Sequence, residues 1–320
     1  MSEALQPSPQ GAAVANLGNL APLLGEFVRE IFGRNREHLT VLGIDEAPPS
    51  SCEILGTFET NRERMAELIG PETRVVHVLG TGVDKFPFDL LGDRALACSR
   101  GASAVAISEF VLASMLAFEK RLPDTWLSEP PEHWNLSLLS GLSGKTLGIV
   151  GLGAIGQETV RRAMPFGMRI LGYRRTDTPG PPGVELTADL KEVLTNSDHL
   201  VLAVPATPAT KGLIGTAEFS LMRKGVHLVN IARGSLVDQD ALRTALDDGT
   251  VALASLDVAD PEPVPAGHWL YTHPQVHLSA HVSWGGPETL RRTVEMFALN
   301  VDAYWSGRPL IGLVDVAEGY

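Results

Sequence analysis

Three polar side chains in the second half of the chain each follow an apolar run. Arg233 closes Asn230-Ile231-Ala232-Arg233-Gly234, Glu262 lies in Asp257-Val258-Ala259-Asp260-Pro261-Glu262-Pro263, and His281 follows Ser279-Ala280. A guanidinium binds a carboxylate in a planar fork and polarises a carbonyl next to it. An imidazolium gives a proton to an oxygen that is gaining charge, and a neighbouring carboxylate favours that charged ring and orients it. The three types together suit reduction of a carbonyl beside a carboxylate. Singly, each is more often structural. Their order, at the ends of successive strands, is what sets them apart, because ligands of an open parallel sheet lie outside the carboxyl ends of its strands.

Such a reduction needs a hydride donor, and the chain carries a place for one. Gly151-Leu-Gly153-Ala-Ile-Gly156 reads G-x-G-x-x-G, directly after the apolar run TLGIV and at the start of a helical pattern over 155–166. In that context the first glycine permits a tight turn, the second lets backbone approach a pyrophosphate, and the third allows close helix–strand packing. Helix N-terminal N–H groups then face the phosphates. The expectation is a dinucleotide-binding Rossmann unit. NAD sites usually carry an acid after the second strand. Here the run RILGY is followed by Arg174-Arg175-Thr176, with no acid before Asp177. Guanidinium groups bind a 2′-phosphate that a carboxylate would repel. NADP(H) is therefore the expected cofactor, with NAD(H) as the alternative.

The elements that must position these residues can be read from short apolar runs. Strands are expected over 12–17, 38–44, 52–58, 75–79 and 94–98, and helices over 20–32 and 107–118. Residues 122–141, with Pro123, Trp126, Pro130, Pro131 and Trp134, read as an extended arm. Later strands are expected over 146–150, 169–173, 199–204, 226–231, 253–258 and 276–279, with helices over 155–166, 238–248 and 287–305. Strands alternating with helical patterns imply βαβ units and a parallel sheet. A chain of 320 residues suits two domains.

Composition excludes other classes. The formal net charge is −12, which argues against non-specific binding to nucleic acid or anionic lipid. Cys52 and Cys98 are far apart and in no metal-binding pattern, so no metal is expected and reduced thiols are. No apolar run approaches the length of a membrane helix. The opening MSEALQPSPQ lacks the basic and apolar regions of a signal peptide, so a cytoplasmic protein is expected.

The glycine turn and its flanks, NIARGSLVDQDAL over 230–242, LDVADPEP over 256–263 and the AHVS segment resemble the D-isomer-specific 2-hydroxyacid dehydrogenases, which include glyoxylate/hydroxypyruvate reductases. The resemblance runs from about Val75 to the C-terminus and is weaker before it. It implies Arg233 as substrate-binding electrostatic catalyst, Glu262 as partner of the histidine and His281 as general acid/base. It implies that Leu79, Gly80, Thr81, Gly82 and Val83 form a loop that binds the substrate carboxylate through backbone N–H groups. Cofactor contacts would fall on Ser103, Gly151, Gly153, Ala154, Ile155, Gly156, Arg174, Arg175, Thr176, Val204, Pro205, Ile231, Ala232, Arg233 and Asp257. Two positions depart from the family pattern. Ala280 stands where proline often precedes the histidine, and Trp284 stands where smaller residues are common.

The expected fold is α/β: a doubly wound Rossmann domain over 123–286, and a flavodoxin-like substrate domain from 1–122 and 287–320, with the cleft between them. The expected activity is hydride transfer between NADP(H) and a small 2-oxo or D-2-hydroxy acid, run as a 2-oxo acid reductase. A homodimer through Trp126 or Trp134 of the arm is expected as well. Formate-type enzymes of this fold pair the histidine with glutamine, which Glu262 disfavours. A phosphite-type dehydrogenase and a non-catalytic nucleotide-sensing protein are the remaining alternatives.

Overall fold

The computed structural model describes residues 12–17, 21–32, 39–42, 46–175 and 179–320. The chain divides into two compact units, Met1–Ser103 with Gly285–Tyr320, and Ala104–Trp284.

In the first unit, strands β1 (Ala12–Asn16), β2 (Leu39–Leu42), β3 (Cys52–Thr57), β4 (Val75–Val78) and β5 (Ala95–Cys98) form a parallel sheet in the order β2-β1-β3-β4-β5. This is the flavodoxin-like order. β3 and β4 are buried along their whole length, which is why their sequences are mostly apolar without strict alternation, with Glu53, Thr57 and His77 as buried polar exceptions. Helices α1 (Ala21–Phe32) and α8 (Pro287–Trp305) supply Leu24, Val28, Phe32, Phe297 and Val301 to one cluster of core residues. α2 (Arg62–Leu68), opened by an N-cap at Asn61, adds Met65 and Leu68 to a second. A Cβ on Gly56 would lie 2.8 Å from the Phe297 ring, so glycine is what lets α8 approach the sheet.

The second unit begins with α3 (Ala104–Lys120), which packs on α4 (Ala154–Ala163). Its seven-stranded parallel sheet has the order β12-β11-β10-β9-β6-β7-β8. The strands are β6 (Thr146–Val150), β7 (Arg169–Tyr173), β8 (Val184–Thr187), β9 (His199–Leu202), β10 (Val226–Asn230), β11 (Val251–Leu256) and β12 (Val276–Leu278). α5 (Leu190–Asn196), α6 (Thr216–Leu221) and α7 (Gln239–Asp247) complete the connections. The chain runs from β6 outward to β8 and returns to β9 on the other side of β6. The loops after β6 and β9 therefore diverge at a topological switch point, where such sheets bind ligands.

The doubly wound fold and its flavodoxin-like companion are both present. The structure adds α2, β8, α5 and α6, which the apolar pattern did not reveal. Each is only four to seven residues long, and the edge strand β8 has no buried residue to mark it. Residues 122–141 contain no regular helix or strand, and Trp126, Trp134, Leu136 and Leu138 are exposed there. Cys52 and Cys98 are buried free thiols. Among the described residues, no helix is long and apolar enough to cross a membrane.

Candidate active site

The glycine turn lies at the switch point. Gly151 has φ 104°, and a Cβ there would lie 2.6 Å from the Ala203 carbonyl oxygen, just after β9. A side chain is thus barred twice, by conformation and by space. A Cβ on Gly156 would lie 2.1 Å from the Gly151 carbonyl oxygen, so the third glycine lets α4 close on the turn. Gly153 is different. It caps α4 without a side-chain hydrogen bond, and a Cβ there would meet nothing within 4 Å. Gly153 and Ala154 are exposed and Ile155 is half-buried, so the helix N-terminus is open to solvent. That cradle fits the pyrophosphate of a dinucleotide, whose negative charge free N–H groups and the helix dipole favour. Val204 and Pro205 follow Ala203 on the facing loop, where the Pro205 carbonyl accepts from Thr210 Oγ1 at 2.8 Å.

Arg174 stands one residue beyond β7. Its N–H donates to Thr187 O at 3.2 Å, and its guanidinium donates to Pro179 O at 3.2 Å. Arg174 is half-buried and Arg175 is exposed. Thr176 lies outside the described residues.

Arg233, Glu262 and His281 follow β10, β11 and β12. Glu262 Oε2 lies 3.0 Å from His281 Nδ1, and Glu262 Oε1 accepts the Ala259 N–H at 3.0 Å. The ring stays 39% and the carboxylate 26% exposed, so the pair is held yet open to a reactant. A carboxylate on Nδ1 leaves Nε2 to exchange a proton with a ligand. His281 itself has φ 54°, a left-handed backbone rare for a residue with a side chain.

Asp257 imposes that backbone. Its carboxylate is fully buried and accepts from Ser279 Oγ at 2.5 Å and from the N–H groups of Val282 and Ser283 at 2.9 Å each. Its carbonyl accepts the His281 N–H at 2.9 Å. Asp257 therefore clasps the histidine loop from inside.

Two residues that the sequence did not single out hold Arg233. Asn230 accepts the Ala232 N–H at 3.1 Å and donates to Arg233 O at 2.9 Å, which pins the turn through the buried Ile231 and the half-buried Ala232. A Cβ on Gly234 would lie 1.9 Å from the Ala259 carbonyl carbon. The Arg233 turn thus rests backbone-to-backbone on the loop that carries Glu262. A polar residue ending a buried strand, and a glycine after the arginine, were the available signals for both.

In the first unit, the loop after β4 offers free donors. Leu79 and Val83 bury their side chains, and the Leu79 N–H donates to Thr57 O at 2.8 Å. The N–H groups of Gly80, Thr81, Gly82 and Val83 have no acceptor among the described residues. Thr81 Oγ1 lies 3.1 Å from Ser103 Oγ. Beneath the loop, the buried His77 ring bonds Ser99 Oγ at 3.0 Å and Asn300 at 2.9 Å. Burial drives this ring down to about 3, so it is neutral and structural.

The family model described as D-isomer specific 2-hydroxyacid dehydrogenase, NAD binding domain, matches residues 112–283. The chain belongs to this family. Glyoxylate reductase of Korarchaeum cryptofilum is 34% identical over 285 residues, covering 82% of this chain and 85% of that protein. D-3-phosphoglycerate dehydrogenase of Methanocaldococcus jannaschii is 36% identical over 197 residues, 59% of this chain but only 38% of that protein. The crystal structure of a D-isomer specific 2-hydroxyacid dehydrogenase from Xanthobacter autotrophicus Py2, in complex with NADPH and MES, matches with a TM-score of 0.83 at 25% identity, over 97% of this chain and all of that one. This 2-hydroxyacid dehydrogenase thus carries its glycine turn, Arg233, Glu262 and His281 inside the matched segment.

Proposed function

We propose that this dehydrogenase reduces small 2-oxo acids with NADP(H), and that His281 is its proton donor. The observation that carries the reading is the Glu262–His281 pair, 3.0 Å apart, partly open, on a loop clasped by Asp257. Bound nicotinamide supplies the hydride. His281 Nε2 gives the proton to the carbonyl oxygen, while Glu262 holds Nδ1 and so fixes the ring plane. Arg233 forks the substrate carboxylate and polarises the adjacent carbonyl. In the first unit, the loop Gly80 to Val83 is assigned to carboxylate binding through its backbone N–H groups. They also explain how an anion is held by a chain of net charge −12: the donors are local and fixed.

The dinucleotide is assigned to the unit Ala104–Trp284, on Gly151 to Gly156, Val204, Pro205, Ile231 and Ala232, with Ser103 on the nicotinamide side. Arg174 and Arg175 are assigned to the 2′-phosphate. A charge-assisted hydrogen bond contributes about 1.5–3 kcal/mol, which sets a preference for NADPH of at least roughly tenfold in kcat/KM. Initial rates with glyoxylate, hydroxypyruvate and bulkier 2-oxo acids, each with NADPH and NADH, test both statements. Equal kcat/KM for the two cofactors overturns the phosphate reading, and no turnover of any 2-oxo acid overturns the activity. Arg174→Asp should abolish the preference.

The arm is assigned to a homodimer contact. Trp126 and Trp134 are 72% and 73% exposed, more apolar surface than an isolated loop ordinarily leaves in water. Light scattering should give twice the chain mass at micromolar concentration; a monomer mass removes this assignment.

A further inference from the structure

The backbone of His281 sits in the left-handed region at φ 54°, which is strained for a residue with a side chain and persists only where the surroundings impose it. Asp257 restrains it on both sides, through its carbonyl on the His281 N–H and its carboxylate on the Val282 and Ser283 N–H groups. It does not touch the His281 carbonyl. That group accepts from the Trp284 indole, Nε1 to O at 2.8 Å. Trp284 is half-buried and packs against the buried cluster that includes Ile107, Val111 and Ile149. The residue before the histidine is Ala280, which places no ring restraint on the backbone.

We propose that Trp284 is a positioning residue for His281. Its ring is anchored in the core, and its N–H holds the carbonyl end of the peptide plane whose other end, the Val282 N–H, Asp257 accepts, so that plane is held at both ends. The effect on chemistry is indirect. With the carbonyl end released, the plane is held by the Val282 N–H alone, ψ of His281 has more play, and the imidazole, bonded at Nδ1 to Glu262, moves its Nε2 away from the substrate oxygen. A misplacement of this kind lowers the chemical step more than dinucleotide binding.

The inference rests on the reading of His281 as proton donor, and the test separates the two. Trp284→Phe keeps a ring in the core and removes the donor. With NADPH and the 2-oxo acid turned over fastest, kcat should fall about three- to tenfold, the loss of one neutral hydrogen bond, with the KM for NADPH unchanged. In the double variant Trp284→Phe/His281→Ala, kcat should be no lower than in His281→Ala alone, because a group that acts only through His281 adds nothing once the imidazole is gone. A residue that merely supports the fold would lower both backgrounds alike, and that result overturns the proposal. So does an unchanged kcat in Trp284→Phe while His281→Ala loses turnover. If His281→Ala keeps full turnover, the proton-donor reading falls and this one with it. Should Trp284→Phe fail to fold, the benzothienyl analogue of tryptophan, which keeps the bicyclic shape and lacks the N–H, reads the same bond and is judged by the same outcomes.

Discussion

Two histidine–glutamate pairs of the second unit have opposite characters. Glu262 and His281 follow the carboxyl ends of β11 and β12 and remain partly exposed. Glu119 and His199 lie at the other end of the sheet, where His199 opens β9. Their side chains are 1% and 0% exposed. His199 Nε2 is 2.9 Å from Glu119 Oε1, within ion-pair range but not aligned as a hydrogen bond. His199 Nδ1 lies 3.1 Å from His227 Nδ1, His227 Nε2 bonds Ser255 Oγ at 2.9 Å, and Phe118 stacks on His227. Lys145 donates to Glu119 at 2.5 Å.

Burial lowers His199 to about 4 against the pull of Glu119, and takes His227 well below its ordinary value. Burial alone would raise Glu119, but the hydrogen bond and the charge of Lys145 leave it below its usual value. The same residue types therefore make a reactive pair where solvent and ligand can reach them, and a structural network where they cannot.

Substitution should break the two pairs differently. His281→Ala is expected to lower kcat by about 10²–10⁴-fold and to leave the urea midpoint in place, since its ring is partly exposed. Unchanged turnover with chemistry rate-limiting would remove His281 as donor. Acid should act the other way, on the buried network and on stability. His199 and His227 are neutral in the fold, whereas the unfolded chain binds their protons near 6.5. Their contribution is complete above about 6.5 and is lost as the pH falls toward the folded values, at about 1.4 kcal/mol per pH unit for each proton taken up. Urea titrations at pH 7.5, 6.5 and 5.5 check this; equal midpoints at all three would contradict it.

Glu119→Ala leaves Lys145 and His199 without their anion and should cost about 2 kcal/mol of stability by the same titration, with kcat unaltered. A fall in kcat at full stability would show that the network reaches the site. Glu262→Gln should lower kcat less than His281→Ala does, about tenfold, because an amide still orients the ring but loses the charge-assisted part of the bond. A drop as large as that of His281→Ala would mean that Glu262 does more than orient.

Much of this organisation was legible in the sequence, because its causes are local. TLGIV followed by G-x-G-x-x-G dictates strand, turn and helix through side-chain volume alone. Buried parallel strands such as TLGIV leave largely apolar runs. The absence of an acid after β7 is visible without any fold. Glycine and proline mark where Arg233 and Glu262 leave their strands.

What the sequence could not rank was which polar residues would be buried. Nothing local separates His199, which opens an apolar strand and disappears into the core, from His281, which follows one and stays open. Asp257 likewise sits at a strand end like any ligand-facing acid, but its carboxylate is consumed by Ser279, Val282 and Ser283, 22 to 26 residues along the chain. The Trp284 indole bonds the His281 carbonyl because α3 and the sheet together fix where that indole stands. Burial and hydrogen-bond partners arise when strands distant in sequence become neighbours, so only the tertiary structure assigns them.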